Sequence, residues 1–263
     1  MVPQIMSDLL LQCEQLELRQ PGGFVLGPLD LQLRSGKLYG LLGANGAGKS
    51  TLLQLLAGLK QPQHGQIRLN QQLLQHYSPT ARAQHLAYLS QQQTPSDMTV
   101  RQLLALGLLP HKRLWQQDTA ADKAAITQAL ADTGLVPQAD VLLSSLSGGE
   151  QQRAHLARVL VQQAKLLLLD EPVNHLDIRY QHQLLATLRR SDLCVLASFH
   201  DINLAAAYCD ELIFLQHGQL AGAGTPAEVL QPELLQRVFG RPCLVDTSPF
   251  GGTYRVTFEP ERA

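Results

Sequence analysis

Nine consecutive residues, Gly43-Ala44-Asn45-Gly46-Ala47-Gly48-Lys49-Ser50-Thr51, carry the first recognisable chemistry in the chain. Their spacing fits G-x-x-x-x-G-K-[ST], a loop that cradles phosphate. Glycines let the backbone curl so that successive N–H groups face one anion. The Lys49 ammonium can reach the terminal phosphates of a nucleotide, and the Ser50 hydroxyl can ligate Mg²⁺. The apolar run Leu38-Tyr39-Gly40-Leu41-Leu42 precedes the loop and Leu52-Leu53-Gln54-Leu55-Leu56 follows it. The order is strand, loop, helix. The helix adds its positive dipole end and its unpaired N–H groups, which a chance glycine turn would not supply.

A second stretch, Leu146-Ser147-Gly148-Gly149-Glu150-Gln151, opens another helix. The Ser147 hydroxyl and the Gly148 and Gly149 amides form a further anion-binding end, although Ser147 would also serve as an ordinary N-cap. Asp170 lies 19 positions after Gln151 and closes the run Leu166-Leu167-Leu168-Leu169. A continuous apolar run ended by an acid reads as a buried parallel strand. In phosphoryl transfer such a strand-end acid holds Mg²⁺, directly or through water. Glu171, the next acid, is placed to polarise an attacking water. His200 follows a second buried strand, Leu193 to Phe199.

The elements that must position these groups are legible from periodicity. Residues 10–34 read as an antiparallel hairpin: Leu29, Leu31 and Leu33 alternate with polar residues, and Pro21-Gly22-Gly23 makes the turn. Short strands follow at Gly65–Asn70 and Leu86–Ser90. From about Pro95 to Gln163 the pattern is helical, with helices led by Thr99, over Asp118–Thr133 and over Gly148–Gln163. The sheet then resumes. Leu176–Arg190 and Ile202–Tyr208 read as helices, and Glu211–Leu220 as a hairpin. A capping box at Thr225-Pro226-Ala227-Glu228 starts a proline-led helix, and a second ends near Gly240. A strand is expected at Thr253–Phe258. Strands alternating with helices around a phosphate loop imply an α/β chain with a mostly parallel sheet.

Composition narrows the function classes. The chain has 263 residues and a net charge of −1, so no basic excess points to nucleic acid. Cys13, Cys194, Cys209 and Cys243 are scattered without C-x-x-C pairs, which argues against disulfide frameworks and zinc sites and for a reducing cytosol. No secretory signal is visible at the N-terminus, and no apolar run approaches the ~20 residues that span a bilayer. Any membrane role is expected to come through a partner. His64, His76, His85, His155 and His182 show no metal-ligand spacing and read as solvated.

Taken together, the phosphate loop, the Leu146–Gln151 signature, the acid-ended strand Leu166–Glu171 and His200 resemble the ATP-binding cassette family, over nearly the whole chain. The resemblance implies an α/β P-loop NTPase with a mixed, mostly parallel sheet core, an N-terminal antiparallel β subdomain and an inserted α-helical subdomain. It places a single ATPase domain at 8–241, with its core at 8–94 and 164–241, the insert at about 95–163, and a tail at 242–263. It implies ATP and Mg²⁺ as ligands. Gly43 to Thr51 would hold the phosphates. Ser50, Gln91 and Asp170 would surround Mg²⁺, with Gln92 and Gln93 as competitors for the role of Gln91. Glu171 would be the general base and His200 would contact the γ-phosphate. Asp177, in Asn174-His175-Leu176-Asp177, would sit at a dimer seam, although it could also cap the following helix.

The resemblance also implies a head-to-tail homodimer in which Ser147, Gly148 and Gly149 of one copy complete the phosphate-loop site of the other. The family's aromatic residue upstream of the loop has no tyrosine counterpart in Arg19-Gln20-Pro21-Gly22-Gly23-Phe24; Arg19 or Phe24 would have to stack on adenine. Ala105–His111 and Gly224–Leu230 resemble ATPases of importers for iron-siderophore complexes, haem and vitamin B12, and Ala87–Pro95 is most similar to the vitamin B12 branch. Polytopic permease subunits and, indirectly, a substrate-binding protein would then be partners, and the chain would sit peripherally on the cytoplasmic face of the inner membrane. A non-transport cassette, such as an iron–sulfur assembly ATPase, is the alternative. A chromosome or DNA-repair ATPase does not fit, because only 121 positions separate Lys49 from Asp170.

Overall fold

Alternating apolar and polar residues build the first sheet. In the computed structural model, which describes residues 8–91, 97–113 and 116–260, β1 (Leu9–Arg19) pairs antiparallel with β2 (Val25–Arg34). Leu11, Cys13, Leu16, Leu26, Leu29 and Leu33 turn inward and are buried. Next in the chain come β3 (Leu38–Leu42), α1 (Lys49–Leu56), β4 (His64–Leu69) and β5 (Gln72–Leu73). β4 and β5 extend the hairpin into a four-stranded antiparallel sheet of order β2-β1-β4-β5.

α2 (Pro79–His85) leads into β6 (Leu86–Leu89). Ser78 caps α2 and proline occupies its first turn, a start signal that outweighs its lack of a buried face. The helical stretch contains α3 (Val100–Leu106), α4 (Ala120–Asp132) and α5 (Gly148–Val161). Thr99, Thr119 and Ser147 open them with reciprocal capping boxes. The rest of the chain runs β7 (Leu166–Leu169), α6 (Ile178–Arg189), β8 (Cys194–Ser198), α7 (Ile202–Tyr208), β9 (Glu211–Gln216), β10 (Gln219–Gly224), α8 (Pro226–Val229), α9 (Pro232–Phe239), β11 (Cys243–Thr247) and β12 (Tyr254–Phe258).

The second sheet has the order β10-β9-β3-β8-β7-β6. Its five strands from β9 to β6 are parallel, and β10 closes the edge as an antiparallel hairpin with β9. β3, β7 and β8 are buried along their whole length, which is why they read as unbroken apolar runs. One core lies between this sheet and the antiparallel sheet, with α1 inside it. A second covers the opposite face under α6, α7 and α9. A third is confined to α3, α4, α5 and their connections. α5 serves two of them: Ala154, Ala157 and Val161 face the helical cluster, whereas Leu156 and Val159 face the sheet.

Sequence-based expectations for strands and helices hold to within a few residues, with three differences. Neither α2 nor the two-residue β5 was expected. The tail is a two-stranded hairpin rather than one strand, because β11 pairs antiparallel with β12. Its position is set by α7, where the Asn203 side chain accepts from the Val256 N–H at 2.7 Å and donates to the Val256 carbonyl at 3.1 Å, and by Phe239 packing edge-on against Phe258. The start of the helical stretch at Pro95, and Gln92 and Gln93, lie outside the described residues. Among the described residues no helix is long and apolar enough to cross a membrane.

The third difference is His155, which is buried on α5 rather than solvated. Burial, reinforced by the nearby Arg158 cation, lowers its pKa from 6.5 to about 4. The unfolded chain therefore binds this proton more readily, and stability falls as pH drops from the ordinary value toward the folded one. At pH 5 the cost is about 2 kcal/mol. His155→Leu removes the titrating ring. It is expected to lose about that much less stability than the wild type between pH 7 and pH 5, measured by urea denaturation at both pH values. Equal losses would show that another group controls the acid response.

Candidate functional site

The phosphate loop joins β3 to α1, and its backbone demands glycine where it turns. Gly43 has φ 153°, and a Cβ there would sit 2.3 Å from the Leu215 carbonyl oxygen on β9. Gly48 has φ 104°, and a Cβ would meet the Phe24 ring at 2.9 Å. α1 starts at Lys49 with no side-chain cap, which leaves its first N–H groups to the loop. Ala44, Asn45 and Gly46 are exposed at the tip, and Ala47 is buried beneath it.

Lys49 is buried. Its Nζ donates to the Gly43 carbonyl at 2.7 Å and the Ala44 carbonyl at 3.3 Å. Loss of hydration lowers its pKa, and the Glu171 and Asp170 carboxylates oppose that shift. The Thr51 hydroxyl accepts from Gln20 Nε2 at 2.7 Å, tying the loop to the end of the first hairpin.

Parallel pairing brings the remaining groups to the same sheet edge. Leu89 of β6 pairs with Leu169 of β7, and Leu169 with Ala197 of β8, so the residues after these three strands emerge side by side. This is the carboxyl edge of the sheet, where open α/β folds bind ligands. Asp170 and Glu171 are both buried there. The Glu171 carboxylate is held by three side chains. His200 Nε2 lies 2.6 Å from Oε1, Gln91 Nε2 donates to Oε2 at 2.7 Å, and the Asn174 amide also donates to Oε2. Glu171 itself has φ 53°, in the left-handed region. Asp170 Oδ1 accepts from the buried Ser198 hydroxyl at 2.8 Å.

A cleft of about 610 Å³ opens onto Glu171, Gln91 and His200, whereas Asp170, Asn174 and Ser198 are not part of its lining. Its walls include Phe24, Asn45, Gly46, Gly48, Lys49, Ser50, Thr51, Gln91, Glu171 and His200, together with Gln20. Most residues expected at the site are therefore brought together. Gln91 is turned toward Glu171, and Arg19 is not part of the wall. The Arg19 guanidinium is exposed and pairs with Glu17 at 3.1 Å.

Two predicted segments stand apart. Ser147, Gly148 and Gly149 do not line the cleft. Ser147 caps α5, and its hydroxyl donates to Glu150 Oε2 at 2.7 Å. Asp177 caps α6, accepting from the Tyr180 N–H at 3.0 Å, and is exposed.

Four residues at the site were not singled out from sequence: Gln20, Asn174, Ser198 and Gln152. Gln152 Nε2 reaches the Glu171 and Pro172 carbonyls, each at 3.3 Å. Asn174 had a signal, because it lies three residues after Glu171 in the same turn. Ser198 had only its polarity inside an apolar strand.

A cleft with a lysine-tipped phosphate loop and buried acids at the carboxyl edge of a parallel sheet suits a nucleoside triphosphate. Comparison with known proteins agrees. Residues 26–174 match the ABC transporter family. The ferric enterobactin transport ATP-binding protein of Escherichia coli is 38% identical over 92% of this chain and 92% of its own. The hemin import ATP-binding protein of Pseudomonas aeruginosa is 42% identical over 92% and 97%. The cobalamin import ATP-binding protein of Halobacterium salinarum is 38% identical over 94% of this chain and 63% of its own. Among solved structures, an inward-facing metal-chelate type ABC transporter superposes with a TM-score of 0.81 at 26% identity, over 97% of this chain and 98% of that one. The chain thus belongs to the ABC transporter family, as one of its ATP-hydrolysing subunits.

Proposed function

We propose that this chain powers an importer for a metal chelate or corrinoid: a ferric siderophore, haem or vitamin B12. The observation that carries the nucleotide chemistry is the convergence of Lys49, Ser50, Gln91, Glu171 and His200 on one cleft. The importer reading rests on relatives with this cargo range that match the chain almost end to end. Their identities differ by only a few per cent, so they favour no single cargo. We assign the chain peripherally to the cytoplasmic face of the inner membrane. There it works on polytopic permease subunits, with a substrate-binding protein delivering the cargo. The helical insert at about 95–163 offers the permease a surface.

The loop amides and Lys49 bind the β- and γ-phosphates. Phe24, packed against Gly48 on the cleft wall, is the aromatic ring available to adenine where the resemblance left Arg19 as a competitor. Glu171 takes the proton of the attacking water, and His200 senses the γ-phosphate from the position it shares with Glu171 Oε1. Ser50, Gln91 and Asp170 offer hard oxygen donors, the kind that would hold Mg²⁺. When bound, that ion neutralises charge developing on the phosphates.

Because Ser147–Gly149 lie outside the cleft of their own chain, a second copy supplies them. The working form is a head-to-tail homodimer with Asp177 at the seam. ATP then acts as a ligand that favours the closed pair.

A strain lacking the chain is expected to lose uptake of one of three labelled cargoes, cobalamin, ferric siderophore or haem. The chain co-expressed with its adjacent permease gene is expected to co-purify with that membrane protein. Unimpaired uptake of all three, or no membrane association when loaded with nucleotide, would overturn the importer reading.

A further inference from the structure

One side chain touches both acids, and it comes from a third strand end. Ser198 is the last residue of β8 and is completely buried. Its hydroxyl accepts from the Glu171 N–H at 2.8 Å and donates to Asp170 Oδ1 at 2.8 Å. A hydroxyl has one proton to give. Since the Glu171 amide can only donate, that proton must go to Asp170, which fixes the direction of both bonds. The remainder of β8, Cys194 to Ala197, is apolar. A hydroxyl buried in such a strand is costly unless it is bonded, and here its donor and its acceptor are both engaged.

We propose that Ser198 is a positioning residue for phosphoryl transfer, resting on the reading that Asp170 holds the cation and Glu171 polarises water. Two consequences follow from its bonds. Committing Asp170 Oδ1 to β8 settles the carboxylate rotamer and with it the direction of Oδ2. Holding the Glu171 amide pins a residue whose φ of 53° persists only where its surroundings determine it. Gln152 grips the same segment from α5 through the Glu171 and Pro172 carbonyls. The aim of the Glu171 carboxylate thus depends on main-chain bonds on both sides. His200 follows Ser198 by two residues, so the same strand end also sets the histidine that meets Glu171 Oε1.

The test uses the full chain and phosphate release as a function of Mg²⁺ at saturating ATP. Ser198→Ala is expected to raise the Mg²⁺ concentration for half-maximal rate about tenfold and to lower kcat by about tenfold, the usual scale for a group that orients a ligand. Binding of a fluorescent ATP analogue in EDTA should stay within about twofold, because the Ser198 hydroxyl bonds to Asp170 and Glu171 rather than to the phosphate loop. Ser198→Thr, which keeps the hydroxyl, should recover both parameters. If Ser198→Ala does not fold, Ser198→Cys keeps the shape with a weak donor and gives the same reading. Wild-type values for Ser198→Ala, or a folded Thr variant no better than Ala, would overturn the proposal. Asp170→Asn runs alongside. If it shifts the Mg²⁺ dependence and Ser198→Ala does not, the Ser198 proposal alone fails. If it shifts nothing, the cation reading falls and takes the proposal with it.

Discussion

Glu171→Gln is expected to slow steady-state phosphate release by about 10²–10⁴-fold, the range a positioned general base supplies. The substitution removes the base but keeps its size. The amide oxygen can still accept from His200 or from Gln91 and Asn174, while the new NH₂ faces donors on one side only. The fold and the phosphate loop should therefore survive, and binding of a fluorescent ATP analogue should change little. Slow turnover has a second readout. ATP that is not consumed keeps favouring whichever state binds it better. The variant with ATP should elute as a dimer in size-exclusion chromatography where the wild type, given time to hydrolyse, returns to the monomer. Turnover within about threefold of wild type would remove Glu171 from its role. A slow variant that stays monomeric with ATP would spare the base and remove the homodimer.

Lys49→Met should act on the other limb, binding rather than chemistry. Lys49 is buried, held by two loop carbonyls, and lines the same cleft as Glu171. A charge-assisted bond from its ammonium to phosphate contributes about 1.5–3 kcal/mol, or about 10- to 100-fold in affinity. Methionine keeps most of the apolar stem and loses the charge. It also leaves the Gly43 and Ala44 carbonyls without their donor, so a modest loss of stability is expected as well. Titration with the fluorescent analogue separates this variant from Glu171→Gln: affinity falls for Lys49→Met and holds for Glu171→Gln. Equal affinities for Lys49→Met and wild type would mean that the loop amides alone bind the phosphates.

Much of this molecule was legible in one dimension. The phosphate loop is a local structure: its strand, glycines and helix start are consecutive, so residue spacing suffices to identify it. The parallel strands β7 and β8 were visible because burial on both faces forces unbroken apolar runs. The capping box at Thr225 was visible because its partner Glu228 lies three residues away, and Thr99 and Ser147 were legible as helix caps, whereas the return bonds from Gln102 and Glu150 appear only in the structure. Asp170, Glu171 and His200 were found because they end such strands.

What tertiary structure alone decided are the bonds between strands distant in sequence. Sequence places Gln91, Glu171 and His200 at strand ends, but only the β6-β7-β8 order makes them neighbours around one carboxylate. It also chose Phe24 over Arg19 as the wall of the cleft. His155 was misread because its burial depends on how α5 is shared between two cores, which no local pattern reports. Ser198 was silent for the same reason. A serine in an apolar strand has meaning only once the pleat and the register bring its hydroxyl between Asp170 and the Glu171 amide. Local chemistry therefore determined which groups this protein uses. The lateral order of strands, set by long-range burial, determined which of those groups touch.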